Sequence, residues 1–425
     1  MSSSIAYRCL PTASSNCLPE SEAQPPKAVA AVDWKRNLVA LWFAEFTAIF
    51  GFSFAFPFLP IFISHDLGVH ATRDLDLWTA VSASASGLSM GIASPIWGVL
   101  GDRFGRKPML LRSMLGGAIT VGLIFFAQNP IQLVILRLAQ GATSGTVAAA
   151  TALVAAETPR HRVGWALGVV TSAIALGGAI GPVVGGIAGN YFGLRLVFLA
   201  GGVLLLLSTI PVVLTVQESE RRVREGVRPS TLALIRQKPG LVRALAVLIG
   251  AQGLVSMVTS ATQILVVLKL LEIAAGAAST AAGFAFGAQG LFNSVSAVGY
   301  TRVTRRFGYV RTTALASLLL GGAVALLSVA PSAATVVALV GTIGLLTGTV
   351  IPATASMIGL ETPLEAQSTV FGFNASSVAF GFSIGPLIAG GVAATAGVPA
   401  GLGIGAVLAV GLATLLLLGA REPAR

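Results

Sequence analysis

Long apolar stretches recur along the chain, separated by short polar loops. Runs of about 20 predominantly apolar residues are the length a helix needs to cross a bilayer. Twelve such runs are present, at about 37–59, 77–98, 109–128, 131–154, 164–187, 194–215, 243–265, 278–299, 311–330, 333–356, 368–391 and 397–418. They are continuous and rich in Leu, Ala and Gly rather than alternating, so they predict helices and not barrel strands. The expected fold is therefore an all-α membrane protein of twelve transmembrane helices, referred to below as spans 1 to 12.

The polar residues between the runs orient them. With the N-terminus inside, the inner segments hold 23 of the 27 Lys and Arg residues and the outer loops hold three, Arg73, Arg195 and Lys269. The remaining one, Arg137, lies inside span 4. Such a bias predicts cytoplasmic termini and a multi-pass protein of the cell inner membrane. The first residues are rich in Ser, Pro and Ala without the apolar core of a signal peptide, and read as a mobile cytoplasmic tail.

Landmarks of the first half return in the second at a nearly constant offset. Glu157-Thr158-Pro159 recurs 204 residues later as Glu361-Thr362-Pro363, and Ile180-Gly181-Pro182 recurs at the same offset as Ile384-Gly385-Pro386. Arg103-Phe104-Gly105 recurs 203 residues on as Arg306-Phe307-Gly308. This maps spans 1–6 onto spans 7–12. The expected organisation is a tail over 1–34, a six-helix bundle over 35–215, and a cytoplasmic loop over 216–242. A pseudo-symmetric second bundle over 243–418 and a short tail over 419–425 complete it. Parallel halves of this kind place a substrate site between them, near the membrane midplane.

Composition narrows the function. Of the 425 residues, 55% are apolar and 10% charged, against roughly 25% charged in an ordinary soluble domain. That argues against a soluble enzyme, a disordered chain and a disulfide-stapled domain. The net charge of +11 is a topology signal, and no nucleic-acid partner is expected. Cys9 and Cys17 have no partner motif. His65, His70 and His161 are scattered, so no metal site is expected. No phosphate loop for ATP appears. Gly401, Gly403 and Gly405 lie in an apolar run without strands and read as helix packing, not as a dinucleotide loop.

The loop after span 2 carries the densest chemistry: Gly98-Val-Leu-Gly-Asp102-Arg103-Phe-Gly105-Arg106-Lys107-Pro108-Met-Leu110. Gly105 permits a sharp reversal, and Pro108 suits the first turn of span 3. Asp102 can pair with Arg106 or cap the positive end of a neighbouring helix, a contact able to form in one conformation and break in another.

This segment resembles the span 2–3 signature of the major facilitator superfamily. Two further segments resemble its drug/proton antiporters: Arg137-Leu-Ala-Gln140-Gly141 in span 4, and Gly177-Gly-Ala-Ile-Gly181-Pro182-Val-Val-Gly185-Gly186 in span 5. The stretch Ala93-Ser-Pro95-Ile-Trp97-Gly98 is similar to the bacterial multidrug resistance exporters. The resemblance covers about 35–420. It implies that Asp102, with Gly98, Arg103, Gly105, Arg106 and Lys107, forms a conformational gate that latches on the start of span 11, near Phe371-Gly372. It also implies a proton-transfer role for Arg137. The second half departs from the pattern, with Arg305 at the position of Asp102 and Gly341 at that of Arg137.

Glu45 is the acid well inside a predicted span, roughly 12 Å into span 1 at 1.5 Å per residue. A lone carboxylate there is costly as an anion, which makes it a candidate for loading and releasing a proton. A neutral hydrogen-bonded acid, or one that snorkels to the interface, is the alternative. Arg137 either tethers backbone carbonyls of span 1 or tunes Glu45. Gly177, Gly181, Pro182 and Gly185, with Gly385 and Pro386 in span 11, read as either tight packing or hinges. Phe50, Gln140, Gln252, Gln289, Asn293 and Asn374 are the expected cavity lining, with Gln263 as a further amide.

Together these predict a proton-coupled secondary transporter, not an enzyme. It would act as a monomer, use the proton gradient and no cofactor, and export drugs or other lipophilic or cationic small molecules, with protons and membrane lipid as its other partners. The alternatives are a sugar or organic-acid carrier of the same fold, and a non-transporting receptor or scaffold.

Overall fold

A chain this apolar can satisfy its backbone polar groups in hydrocarbon only by closing hydrogen bonds within helices. The computed structural model describes residues 33–159, 162–219, 239–362 and 367–422, and helices fill nearly all of them. Tail residues 1–32 with Cys9 and Cys17, His161, and the segment 220–238 lie outside the described residues. So do the side chains of Asp102 and Arg103.

Ten described helices are long and apolar enough to cross a membrane. They supply ten of the twelve expected spans, several reaching well past the sequence-based edges: span 1 runs Trp34–His65 and span 7 Gly240–Ile273. Span 3 is Arg106–Phe126, span 4 Pro130–Glu157, span 5 Trp165–Phe192 and span 6 Leu194–Thr215. Span 9 is Tyr309–Ser328, span 10 Ala333–Glu361, span 11 Val370–Ala396 and span 12 Val398–Gly419. Spans 2 and 8 are Thr72–Phe104 and Ala278–Phe307, helices of 33 and 30 residues. These two are less apolar for a reason visible in their packing: they carry serines and amides on faces that meet other helices rather than lipid.

Two spans are interrupted. Pro57 and Pro60 break span 1 with a 3-10 turn at Phe56–Phe58. Span 4, expected as one helix, splits at Ser144-Gly145, and Gly145 takes a φ of +125° that other residues rarely adopt. The reversals before spans 3 and 9 use Gly105 and Gly308 at φ +97° and +89°.

Spans 1 to 6 pack among themselves, as do spans 7 to 12, and the two groups meet along two seams. One joins span 2 to span 11, the other span 5 to span 8. Both seams are built from small residues, which let helix axes approach closely. An added Cβ on Gly87 would sit 3.1 Å from the Ser383 nitrogen, and one on Gly290 would sit 2.8 Å from the Ala179 Cα. The Ser383 hydroxyl donates to the Ser84 carbonyl across the first seam at 3.0 Å. Eleven residues along the same helix faces, about three turns, Gly372 and Gly168 meet nothing within 4 Å. The halves are thus sealed at one end and parted at the other. The parted end carries Lys35, Arg36, Arg106, Lys107, Arg302, Arg305 and Arg306 and is called the basic end below.

At the sealed end Arg195 ties three elements together. Its Nη1 donates to the Phe125 carbonyl at 2.8 Å and its Nη2 to the Asp66 carbonyl at 3.1 Å, while its Nε lies 3.4 Å from the Asp66 carboxylate. Partial burial raises the Asp66 carboxyl above its ordinary range, and Arg195 and then His65 counteract that.

Gly177, Gly181 and Gly185 of span 5 belong to packing inside the first bundle. A Cβ on Gly177 would meet the Phe46 carbonyl at 2.8 Å and the Phe50 nitrogen at 2.9 Å, and one on Gly181 would meet the Phe50 carbonyl at 2.9 Å. Gly185 rests on Phe54 of span 1, and Gly385 repeats the arrangement on Met257 of span 7. The contacts at these glycines are those of tight helix packing. The neighbouring Gly178 is looser, its nearest atom being 3.9 Å away. Gly177→Ala is therefore expected to destabilise by about 1–3 kcal/mol through overpacking against backbone, whereas Gly178→Ala leaves stability unchanged or slightly raised. Unfolding midpoints of the two variants in detergent separate these outcomes.

Candidate functional site

Between the halves lie two adjoining cavities of about 290 and 450 Å³, which share Phe52, Phe56, Pro57, Gln263 and Phe382 as a common wall. Together they have the size and apolar character of a small-molecule site with a few convergent polar groups. The polar lining comes from both halves: Arg137 and Gln140 from span 4, Gln252 and Gln263 from span 7, Gln289 and Asn293 from span 8. Four of the six expected lining residues are therefore in place. The other two, Phe50 and Asn374, line neither cavity. Phe50 stacks between Phe46 and Phe54, at 6.0 and 5.6 Å, on the face of span 1 that meets span 5. Helical periodicity puts Phe52 and Phe56, four residues apart, on the cavity side instead.

Several amides are held rather than free. Gln252 donates to the Ile351 carbonyl at 3.1 Å, and Asn293 to the Thr347 hydroxyl at 3.1 Å. Asn374 keeps a buried Oδ1 without a hydrogen bond among the described residues.

Arg137 is the charged residue of the cavity wall, and no acid lines either cavity among the described residues. It is 5% exposed. Its Nε donates to the Ser82 carbonyl of span 2 at 3.1 Å, and its Nη1 donates to the Gln140 Oε1 one turn along span 4 at 2.5 Å. The guanidinium lies 4.4 Å over the Phe56 ring, an arrangement in which the ring face stabilises the cation. The tether thus reaches a carbonyl of span 2, and its contact with span 1 is an aromatic face rather than a carbonyl.

Glu45 occupies a different place. Its side chain is fully buried, on the stripe of span 1 that includes Leu41, Ala44 and Ala48. It borders the apolar cluster formed by Leu110, Met114, Leu153 and Val170. Both carboxyl oxygens lack a hydrogen-bond partner among the described residues, and no ion pair joins Glu45 to Arg137 there. Direct tuning of the acid by the arginine is not what this conformation holds. Glu45 faces neither lipid nor the cavity.

The span 2–3 loop is fastened within its own bundle. The Glu218 carboxylate, just beyond span 6, accepts from the Arg106 nitrogen at 2.8 Å and the Lys107 nitrogen at 2.9 Å. It thereby caps the positive start of span 3. Gly105 is the residue that leaves room, since a Cβ there would meet Glu218 at 2.9 Å. The Lys107 ammonium donates to the Val213 and Val216 carbonyls of span 6, the Arg106 guanidinium to the Ala152 carbonyl of span 4. Arg112 donates to the Ser144 carbonyl and stacks 3.7 Å over Trp97. Glu157, of the repeated Glu-Thr-Pro, accepts from the Ser219 hydroxyl at 2.8 Å.

The second half repeats the device. Glu422, 204 residues after Glu218, accepts from the Tyr309 and Val310 nitrogens at 2.8 and 2.9 Å. The sequence reading, which offered Asp102 as a partner of Arg106 or a helix cap, named neither glutamate. The signal was available, since the offset of 204 that aligns the other landmarks also aligns Glu218 with Glu422. Glu218→Ala is expected to cost about 0.5–2 kcal/mol, as lost caps do, and to speed amide hydrogen exchange at Arg106 and Lys107. Glu422→Ala should do the same at Tyr309 and Val310, the two effects adding because the sites are far apart.

The sequence profile of the Major Facilitator Superfamily matches residues 41–268 and 248–425. A multidrug resistance protein MdtG from Dickeya zeae is 32% identical over 374 residues, 87% of this chain and 90% of its own length. The MdtG protein of Proteus mirabilis is 45% identical over 186 residues, which span 44% of this chain and somewhat under half, 46%, of that protein. Among solved structures, the nucleoside transporter NupG aligns with a TM-score of 0.74 at 14% identity, over 92% of this chain and all of NupG, a likeness of fold alone. The chain belongs to the Major Facilitator Superfamily.

Proposed function

We propose that the chain is a proton-coupled secondary exporter of lipophilic drugs, cationic ones among them, and that it works by alternating access. The observation that carries this reading is the cavity between two bundles that are sealed at one end and parted at the other. Such an arrangement exposes one solute site to one side of a membrane at a time. The concentration of Lys and Arg at the parted end supports placing that end, and both termini, in the cytoplasm of an inner-membrane protein. The described conformation is then inward-open, the state that loads a solute for export. The MdtG relatives are multidrug resistance proteins by name, which supports a drug as the solute.

In this reading Glu45 carries the exchanged proton. A carboxyl with no donor in an apolar cluster is stable as the neutral acid and must be hydrated to release its proton. Release of that proton requires water to reach the interior of the first bundle, where Glu45 stays buried even with the basic end parted. Asp102 latches on the start of span 11 when the basic end closes, and the open space around Gly372 leaves room for that approach.

One observation favours a second reading, an organic-acid carrier: the cavity wall holds the Arg137 guanidinium without a facing carboxylate. Proteoliposomes with an imposed pH gradient distinguish the two. Export of a lipophilic cation such as ethidium, competed by uncharged lipophiles, is the expected result. Flux of a small carboxylate that disappears in Arg137→Gln, with no cation flux, would favour the second. Glu45→Gln is expected to lower gradient-driven flux at least about tenfold while leaving substrate binding within about threefold. Undiminished gradient-driven flux in that variant would move the proton elsewhere.

A further inference from the structure

The seam between spans 2 and 11 buries a second acid that neither the cavity nor Glu45 accounts for. Asp76 stands in the second turn of the helix Thr72–Phe104, one residue before the apolar run predicted for span 2, and is 1% exposed. Neither of its carboxyl oxygens has a hydrogen-bond partner among the described residues, and the Thr79 hydroxyl three residues on is equally unpartnered. Span 11 covers it closely: Gly390 lies against Ala80 one turn on, and a Cβ on Gly390 would stand 3.5 Å from the Asp76 carbonyl. The acid is therefore roofed by the other half of the molecule, at the end where the halves are sealed.

The charges around Asp76 do not neutralise it. Span 7 presents Glu272, whose charge acts unfavourably on an Asp76 anion, and Lys269, which is already engaged with Glu272 at 3.6 Å. The end of span 1 presents His65 and Asp66, the latter paired with Arg195. Span 4 offers Arg137, held by the Ser82 carbonyl and Gln140. On its own helix the neighbours are Arg73 and Asp74, while the outer halves of spans 3 and 11 carry no titratable group. No cation makes an ion pair with Asp76 among the described residues. Burying a carboxylate so placed is costly, whereas burying the neutral acid is not.

We infer that Asp76 is a proton-binding residue of the outer seal: the seal closes on the protonated acid and is opposed by the ionised one. Parting the seam hydrates Asp76, which releases its proton to that side or takes one from it. Only after protonation do spans 2 and 11 come together again. The second half has no equivalent acid: at the offset of 203 that pairs Asp102 with Arg305 in the same helices the position is Ser279, and the span 5–span 8 seam is built of glycines with Ala179, Pro182, Val183 and Ser279. Proton control of the seal is thus lodged in one seam. This inference extends the proton-coupled reading by giving the outer side its own acid, yet its test needs no transport.

The test is the distance between spin labels at Gln128 and Val329, exposed residues near the sealed end of each half, in the full chain with Cys9 and Cys17 replaced by Ser. In nanodiscs taken from pH 5 to pH 8, the open-to-sealed ratio of the otherwise unchanged protein should rise at least about tenfold, because each pH unit above the acid's titration favours the open form. Asp76→Asn, which keeps shape and cannot ionise, should remain sealed and change less than about twofold. Asp76→Ser serves the same purpose should the asparagine variant fail to fold. Glu45→Gln should retain the pH response at this end. A seal insensitive to pH in the parent chain, or one equally sensitive in Asp76→Asn, overturns the inference. Loss of gradient-driven flux in Glu45→Gln with an unaltered seal response tells the two acids apart. Absence of any proton-linked flux, with the seal response intact, would strike the transport reading and leave the seal.

Discussion

Backbone-close contact between glycine-bearing helices at one end of the molecule is the interaction on which the rest depends. Lipid supplies no hydrophobic force to press helix against helix, so association rests on close packing and on a few polar contacts. Gly87 against Ser383 and Gly186 against Gly283 bring the halves within reach of the Ser383–Ser84 hydrogen bond. That seal creates a cavity with a floor, a mouth and two walls. It also converts Asp76 from a helix-end acid facing water into a buried one.

The same packing logic explains why the two most polar spans are 2 and 8. Each turns its serines, amides or acid towards a seam or the cavity, where neighbouring helices replace lipid. Polar groups in a spanning helix are tolerated on such faces. The glycines of spans 5 and 11 act one layer back. They set spans 1 and 7 against their partners so closely that Phe52 and Phe56 are presented to the cavity while Phe50 is kept inside the bundle. The shape of the site is therefore decided in part by glycines behind its wall, Gly177, Gly181, Gly185 and Gly385.

Charge is divided by function. The cavity wall has a guanidinium held by a carbonyl, an amide and an aromatic face. The bundle interior has a carboxyl without donors, Glu45. The sealed end has another, Asp76, and the basic end has two carboxylates, Glu218 and Glu422, spent on helix starts. In each bundle the cap ties the loop before the third helix to the end of the sixth. The parted end carries most of the cations.

The spans and the internal repeat were legible in the sequence, because span length and tripeptide offsets are one-dimensional signals. Glu45 and Arg137 stood out because a charge inside an apolar run is conspicuous. Gln140, Gln252, Gln289 and Asn293 were recognisable for the same reason, as amides at lipid depth. What one dimension does not carry is which helix faces which. The exclusion of Phe50 and Asn374 from the cavity and the separation of Glu45 from Arg137 follow from the rotation and pairing of spans 1, 4, 5 and 11. The capping roles of Glu218 and Glu422, and the burial of Asp76, follow from chain segments distant in sequence arriving at one place. Composition chooses the solvent and the helices, whereas the identity of a buried neighbour is decided only when the helices pack.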